Sequence, residues 1–155
     1  MLIRAADPGD ARDLARLRYQ FRIESDAPAE PELEFLKRCT AWMTEQLRPG
    51  TGWRCWVAVA DARLAGTLWL SLIGKLPNPN AHSEWHGYIS SFYVLPELRN
   101  QSIGSSLMTA CLQACDDLGV DAIFLWPTAR SRPFYVRHGF GVRDDLMERR
   151  QYSKP

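Results

Sequence analysis

Apolar side chains recur along the chain in two rhythms. Leu2 to Arg4 reads as a short first strand. Asp7-Pro8-Gly9-Asp10 follows as a helix start, with Asp7 at the N-cap, Pro8 in the first helical position and an acid in the first turn. Ala11, Leu14, Leu17 and Phe21 then fall on one helical face. Pro28 and Pro31 bracket a loop. From about Glu32 a second helix carries Leu33, Leu36, Cys39, Met43 and Leu47 at three-to-four spacing and stops at Pro49-Gly50.

There the rhythm changes. Trp53 to Ala60 and Leu64 to Ile73 are rich in aromatic and β-branched residues, and Asp61-Ala62-Arg63 between them signals an antiparallel hairpin. Gly74 to Gly87 reads as a long polar loop, and Tyr88 to Leu95 as the next strand, stopped by Pro96. Ser102 to Leu118 returns to helical spacing through Ile103, Leu107, Ala110, Cys111, Ala114 and Leu118, with Gly119 as its stop. Ala122 to Trp126 is wholly apolar, the pattern of a strand buried on both faces. A short helix over Ser131 to His138 closes at Gly139, and Phe140 to Tyr152 supplies a last strand. The expected fold class is therefore α/β with a mixed sheet. Its first half is antiparallel, and a βαβ crossover over Tyr88 to Trp126 requires a parallel neighbour.

Composition then narrows the function. A length of 155 residues fits one domain, 1–155. Nineteen basic against 18 acidic residues leave a formal charge of +1, which argues against a nucleic-acid or anionic-membrane binder. No apolar run reaches the length of a membrane span, and the first residues lack the basic-then-apolar order of a signal peptide. Cys39, Cys55, Cys111 and Cys115 sit in expected helices or strands, not in a disulfide framework, so free thiols in the cytoplasm are expected.

The chemistry concentrates where the crossover strand meets its helix. In Arg99-Asn100-Gln101-Ser102-Ile103-Gly104-Ser105-Ser106, small residues stand at 102, 104, 105 and 106, where a helix begins. Unpaired first-turn amides and the positive end of the helix dipole can then meet a phosphate directly, and Arg99 can add a full charge. A serine-rich cap is the plainer reading. Neither Gly-x-x-x-x-Gly-Lys-Ser/Thr nor Gly-x-Gly-x-x-Gly occurs.

Three stretches together resemble the GNAT superfamily of N-acetyltransferases. Tyr88-Ile-Ser-Ser-Phe-Tyr-Val94 followed by Pro96-Glu97 resembles the central strand, and Arg99 to Ser106 the acetyl-CoA pyrophosphate loop. Arg132-Pro-Phe-Tyr135-Val-Arg-His-Gly139-Phe140 resembles the C-terminal Tyr-x-x-x-Gly-Phe segment. Ser106 replaces the usual Gly or Ala, and Asn100 and Ser102 stand where glycines are common.

The resemblance implies the GNAT-like acyl-CoA N-acyltransferase fold and acetyl-CoA as co-substrate, with no metal. Acetyl would pass to a primary amine of a small molecule or peptide by direct attack in a ternary complex. Phe92, Tyr93 and Val94 would offer backbone donors to the oxyanion. Arg99, Asn100, Gln101, Ser102, Ile103, Gly104, Ser105 and Ser106 would hold the cofactor, and Tyr135 would touch it while protonating the leaving thiolate. The V-shaped cleft of the family opens between the central strand and the 122–126 strand.

Glu84 and His86, just before the central strand, are the candidate general bases, since an imidazole titrates near neutral pH. His82 and His86 have helical metal spacing, but Asn78-Pro79-Asn80 opposes a helix and no third ligand is apparent, so no metal site is expected. Trp85 is expected to line the acceptor pocket. Glu24, Asp26, Glu30, Glu32 and Glu34 read as a solvated acidic loop, with a hint of a cationic acceptor. A homodimer accords with the resemblance. The alternative function is a non-catalytic acyl-CoA-binding or regulatory module of the same fold.

Overall fold

Alternating apolar residues pair into a sheet, and three-to-four periodic ones cover it. The computed structural model describes residues 1–79 and 83–149, which fall into two compact units, Met1–Leu125 and Trp126–Pro155. In the first unit, β1 (Leu2–Ala5), β2 (Trp53–Ala60), β3 (Arg63–Gly74), β4 (Trp85–Val94) and β5 (Ala122–Phe124) form one sheet in chain order. The first three pairings are antiparallel and β4–β5 is parallel. Helix α3 (Ile103–Asp117) makes the crossover between β4 and β5.

The first helix start is as read from the sequence. Asp7 accepts from the Gly9 amide at 2.7 Å, and Asp10 accepts from the Asp7 amide at 2.9 Å. A capping box thus launches a 3₁₀ turn at Pro8–Asp10 that leads into α1 (Ala11–Ile23). Helix α2 spans Glu32–Gln46. Ala11, Leu14 and Ala15 of α1 and Met43 of α2 bury themselves against Cys55, Val57 and Trp69 of the sheet. Leu17 joins Tyr93 and Leu95 beside them. Helix α3 buries Ile103, Leu107, Met108, Cys111 and Cys115. It packs tightly, since a Cβ on Gly66 would lie 2.9 Å from the Tyr93 carbonyl oxygen and 3.3 Å from Leu107. The turn between β2 and β3 places both Asp61 (φ +48°) and Ala62 (φ +60°) in the left-handed region, the geometry that matches strand twist.

Three expectations are corrected. Strands β3 and β4 continue pairing through Leu72↔Gly87, Ile73↔His86 and Gly74↔Trp85, so His86 and Trp85 belong to a strand instead of a long loop. Cross-strand pairing outweighs the polar character of that stretch. Strand β5 stops at Phe124 and is the outermost strand of the described sheet, with Ala122 exposed, so it is not buried on both faces. The tail forms no strand over residues 140–149, and 150–152 lie outside the described residues. Val142, Leu146 and Met147 are exposed there among charged neighbours, with no alternating face to bury. The second unit contains α4 (Arg132–Arg137). No helix among the described residues is long and apolar enough to cross a membrane.

Candidate active site

The residues joining β4 to α3 adopt an unusual backbone. Asn100 (φ +63°) and Ser102 (φ +61°) are both left-handed, at the two positions where the resemblance expects glycines. Glycine enters that region without strain, Asn with little, and Ser at about 1–2 kcal/mol. The chain therefore keeps the bend without the residues that make it easy. Ser102 is the N-cap of α3 yet makes no side-chain cap bond, and the first-turn amides have no intrahelical acceptor. Ser106 Oγ turns back to donate to the Ser102 carbonyl at 3.2 Å. Small side chains and uncapped amides fit a pyrophosphate.

Arg99 contributes differently from expectation. Its Nη2 donates to both carboxylate oxygens of Glu24, at 3.0 and 2.9 Å, and its Nε to the Val94 carbonyl at 3.0 Å. The guanidinium also lies 5.4 Å over the Tyr93 ring, while Tyr93 Oη donates to Glu24 at 2.6 Å. Burial and the bond to Glu24 raise the Tyr93 phenol well above its ordinary pKa. Arg99 thus ties the end of α1 to the end of β4, and its charge is already matched.

Strand β4 is interrupted at the centre of the sheet. Its register against β3 shifts between Thr67 and Trp69, opposite Ser90 to Tyr93, and Ser91 is left-handed at φ +47°. An extra residue in one strand with that backbone is a β-bulge, a device that re-aims groups beside active sites. Pairing with β5 runs only through His86↔Ala122, Gly87↔Ile123 and Tyr88↔Phe124, where the two rings stack 5.5 Å apart. The β4–β5 pairing ends there among the described residues.

Beside the bulge, on the α1–α2 face, lies a pocket of about 350 Å³. Its walls include Arg18, Phe35, Trp42, Trp53, Trp69 and the bulge residue Ser91. The three tryptophans meet ring to ring, with centroids 5.3 to 6.0 Å apart.

The sequence pattern of the acetyltransferase (GNAT) family matches residues 14–140. The chain belongs to the GNAT acetyltransferases. A predicted acetyltransferase with acetyl-CoA from Clostridium acetobutylicum superposes with a TM-score of 0.79 at 22% identity, over 96% of this chain and 95% of that one. A GCN5-related N-acetyltransferase from Ralstonia eutropha gives 0.77 at 22% identity over 96% and 97%. Glucosamine-6-phosphate N-acetyltransferase from Arabidopsis thaliana gives 0.72 at 18% identity over 97% and 98%. These likenesses establish the shared fold. No curated protein sequence matches significantly.

Within this GNAT chain the expected bases stand away from the bulge. His86 precedes Ser91 by five residues of strand, roughly 16 Å at about 3.3 Å each. It lies 3.7 Å from Asp121, which Lys75 also contacts. Glu84 is exposed just before β4, and its carbonyl receives the Lys75 amide at 2.7 Å. Neither residue lines the pocket beside the bulge. His82 lies outside the described residues, and no cluster of metal-ligating side chains occurs among the described ones.

Trp85 is 42% exposed and absent from the pocket wall, where Trp42 and Arg18 stand instead. Arg18 had a sequence signal, as a cation inside the apolar stripe of Leu14, Leu17 and Phe21. The acidic loop is partly neutralised: Glu24 by Arg99, Asp26 by Arg22 and Glu30 by Arg38.

In the second unit, Tyr135 lies in α4, edge-on to Phe134 and Phe140 at 5.5 and 5.7 Å. Burial pushes its phenol up to about 12, so it is protonated at neutral pH. The four cysteines are free. Burial raises the Cys39 thiol and pushes Cys55 up to about 12, which makes both poor nucleophiles.

Proposed function

We propose that this protein transfers acetyl from acetyl-CoA to the primary amine of a small molecule or peptide by direct attack within a ternary complex, as a single domain of residues 1–155. The observation that carries the reading is the left-handed Asn100–Ser102 bend, which delivers uncapped α3 amides in a chain of the GNAT family. Main-chain amides of Ile103 to Ser105 hold the pyrophosphate, with the dipole of α3 behind them, while the Ser106 amide closes the first helical turn onto the Ser102 carbonyl at 3.0 Å. The thioester supplies an activated acetyl group. The acceptor amine enters from the α1–α2 pocket and adds to the thioester carbonyl, forming the C–N bond and an oxyanion that collapses as the C–S bond breaks and the CoA thiolate leaves. Backbone donors of Phe92 to Val94, re-aimed by the bulge, stabilise the oxyanion.

The amine gives its proton to water, since Glu84 and His86 stand at the other end of β4. Tyr135 Oη donates to the leaving sulfur. Its assignment rests on the Tyr-Val-Arg-His-Gly-Phe segment and on a phenol held protonated by burial. Calorimetric titration with acetyl-CoA, CoA and NADH tests the loop, and an amine screen reading released thiol tests transfer. Binding of both CoA forms without NADH binding, followed by thiol release with an amine, is the expected result. Binding without transfer to any amine would favour the acyl-CoA-binding module, and no CoA binding would remove the reading.

A further inference from the structure

The pocket beside the Ser91 bulge has a charge pattern that selects among amines. Arg18 and Arg38 line it, and no acidic residue does. Arg38 is matched by Glu30 and lies over the Phe35 ring. Arg18 is half-buried and has no carboxylate partner among the described residues, its one cation–π contact being the Phe21 ring at 5.6 Å. Leaving water without an acid in compensation depresses its pKa, with Arg22 adding repulsion.

Two more lining residues, Trp69 and Ser91, bury Nε1 and Oγ with no hydrogen-bond partner among the described residues. Such atoms ordinarily cost about 1–3 kcal/mol each unless a ligand or water meets them. The unmatched guanidinium calls for an anionic acceptor group, and the surrounding Phe35, Trp42, Trp53 and Met43 call for an apolar body. The volume of about 350 Å³ equals roughly a dozen waters, at about 30 Å³ each, the scale of one aromatic amino acid.

We propose that the acceptor is an α-amino acid with an aromatic or large apolar side chain, its carboxylate held by Arg18 and its side chain by the tryptophan walls. This rests on the N-acetyltransferase reading and names the substrate class of that site. A carboxylate suits a single planar guanidinium, whereas a phosphate dianion would call for more than one unmatched cation.

The test uses phenylalanine, phenylalaninamide, phenethylamine and O-phosphoethanolamine, read in two ways. Quenching of tryptophan fluorescence reports occupancy whether or not acetyl is transferred, and thiol release with acetyl-CoA reports turnover. Phenylalanine should saturate the quenching, and Trp42→Phe should reduce its amplitude. Loss of the carboxylate should weaken binding by about 10- to 150-fold, the range of a charge-assisted pair. Arg18→Gln should shrink the preference for phenylalanine over phenethylamine towards unity, and Arg18→Lys should restore part of it. The thermal midpoint of each variant checks folding.

Equal binding of phenylalanine and phenethylamine, preference for O-phosphoethanolamine, or an unchanged preference in a folded Arg18→Gln would overturn the proposal. Failure of acetyl-CoA to bind would instead remove the acetyltransferase reading, while the fluorescence titration still decides the pocket.

Discussion

Two arginines of the Met1–Leu125 unit carry the same charge and do opposite things. Arg99 stands in the loop before α3, where the motif invites a phosphate contact, yet Glu24 and the Val94 carbonyl occupy its guanidinium. Arg18 stands in the apolar stripe of α1, where no motif points to it, and among the described residues it is the pocket cation without a carboxylate partner, Arg38 being matched by Glu30. A charge acts on a ligand only when the fold has not already neutralised it, and only three-dimensional neighbours decide that. In the proposed function, the cofactor side therefore rests on main-chain dipoles and the acceptor side on one side chain.

Substitutions separate the two sides. The largest effect belongs to Gly104→Asp, which sets a carboxylate where the pyrophosphate is proposed to lie. Acetyl-CoA affinity by calorimetry should fall at least about 100-fold, on the order of 3 kcal/mol. An acid in the first turn favours the helix, so the thermal midpoint should hold while binding fails. Lost folding in place of lost binding would leave the cradle without support.

Tyr135→Phe should lower kcat by about 100-fold, at the low end for general-acid catalysis, with acetyl-CoA affinity nearly intact. The phenol also titrates in a defined direction. Its pKa is raised from 10.0 to about 12 in the fold, so its contribution to stability is full below pH 10 and fades as pH climbs towards 12. Tyr135→Phe should remove that part of the alkaline destabilisation, read from unfolding midpoints across that range.

Ser102→Gly relieves a left-handed serine at the cofactor loop, and should stabilise the fold by about 0.5–1 kcal/mol after the added entropy of glycine in the unfolded chain. Asn100→Gly should gain less, because Asn tolerates that backbone. A loss of stability in Ser102→Gly would mean the serine makes compensating contacts. The smallest effects belong to His86→Ala and Glu84→Ala. Each should keep kcat/KM within about twofold, against the 100-fold or more that loss of a true base costs. A large loss in either would restore that residue as the base.

Much of the architecture was legible because local chemistry agreed with it. Asp7 and Pro8 announced the first helix start, Asp61-Ala62 the hairpin, and Gly104 and its small neighbours the opening of α3. Long periodic segments such as α2 and α3 were read nearly to the residue. The errors came where pairing outranked propensity. Strand β4 recruited Trp85 and His86 from a polar stretch because β3 offered partners. Strand β5 looked doubly buried because a short apolar run carries no periodicity to show which face is covered.

By itself, then, the sequence determined the mixed sheet, the crossover and the small-residue start of α3, since these follow from spacing, caps and small residues within a few positions of each other. The tertiary structure alone decided the bulge at Ser91, the capture of Arg99 by Glu24 and the meeting of Arg18 with three tryptophans. Each of these joins residues far apart in the chain, such as Glu24 with Arg99 or Trp42 with Trp69. Such contacts depend on how helices and strands stack, and side-chain periodicity along one element carries no record of what faces it.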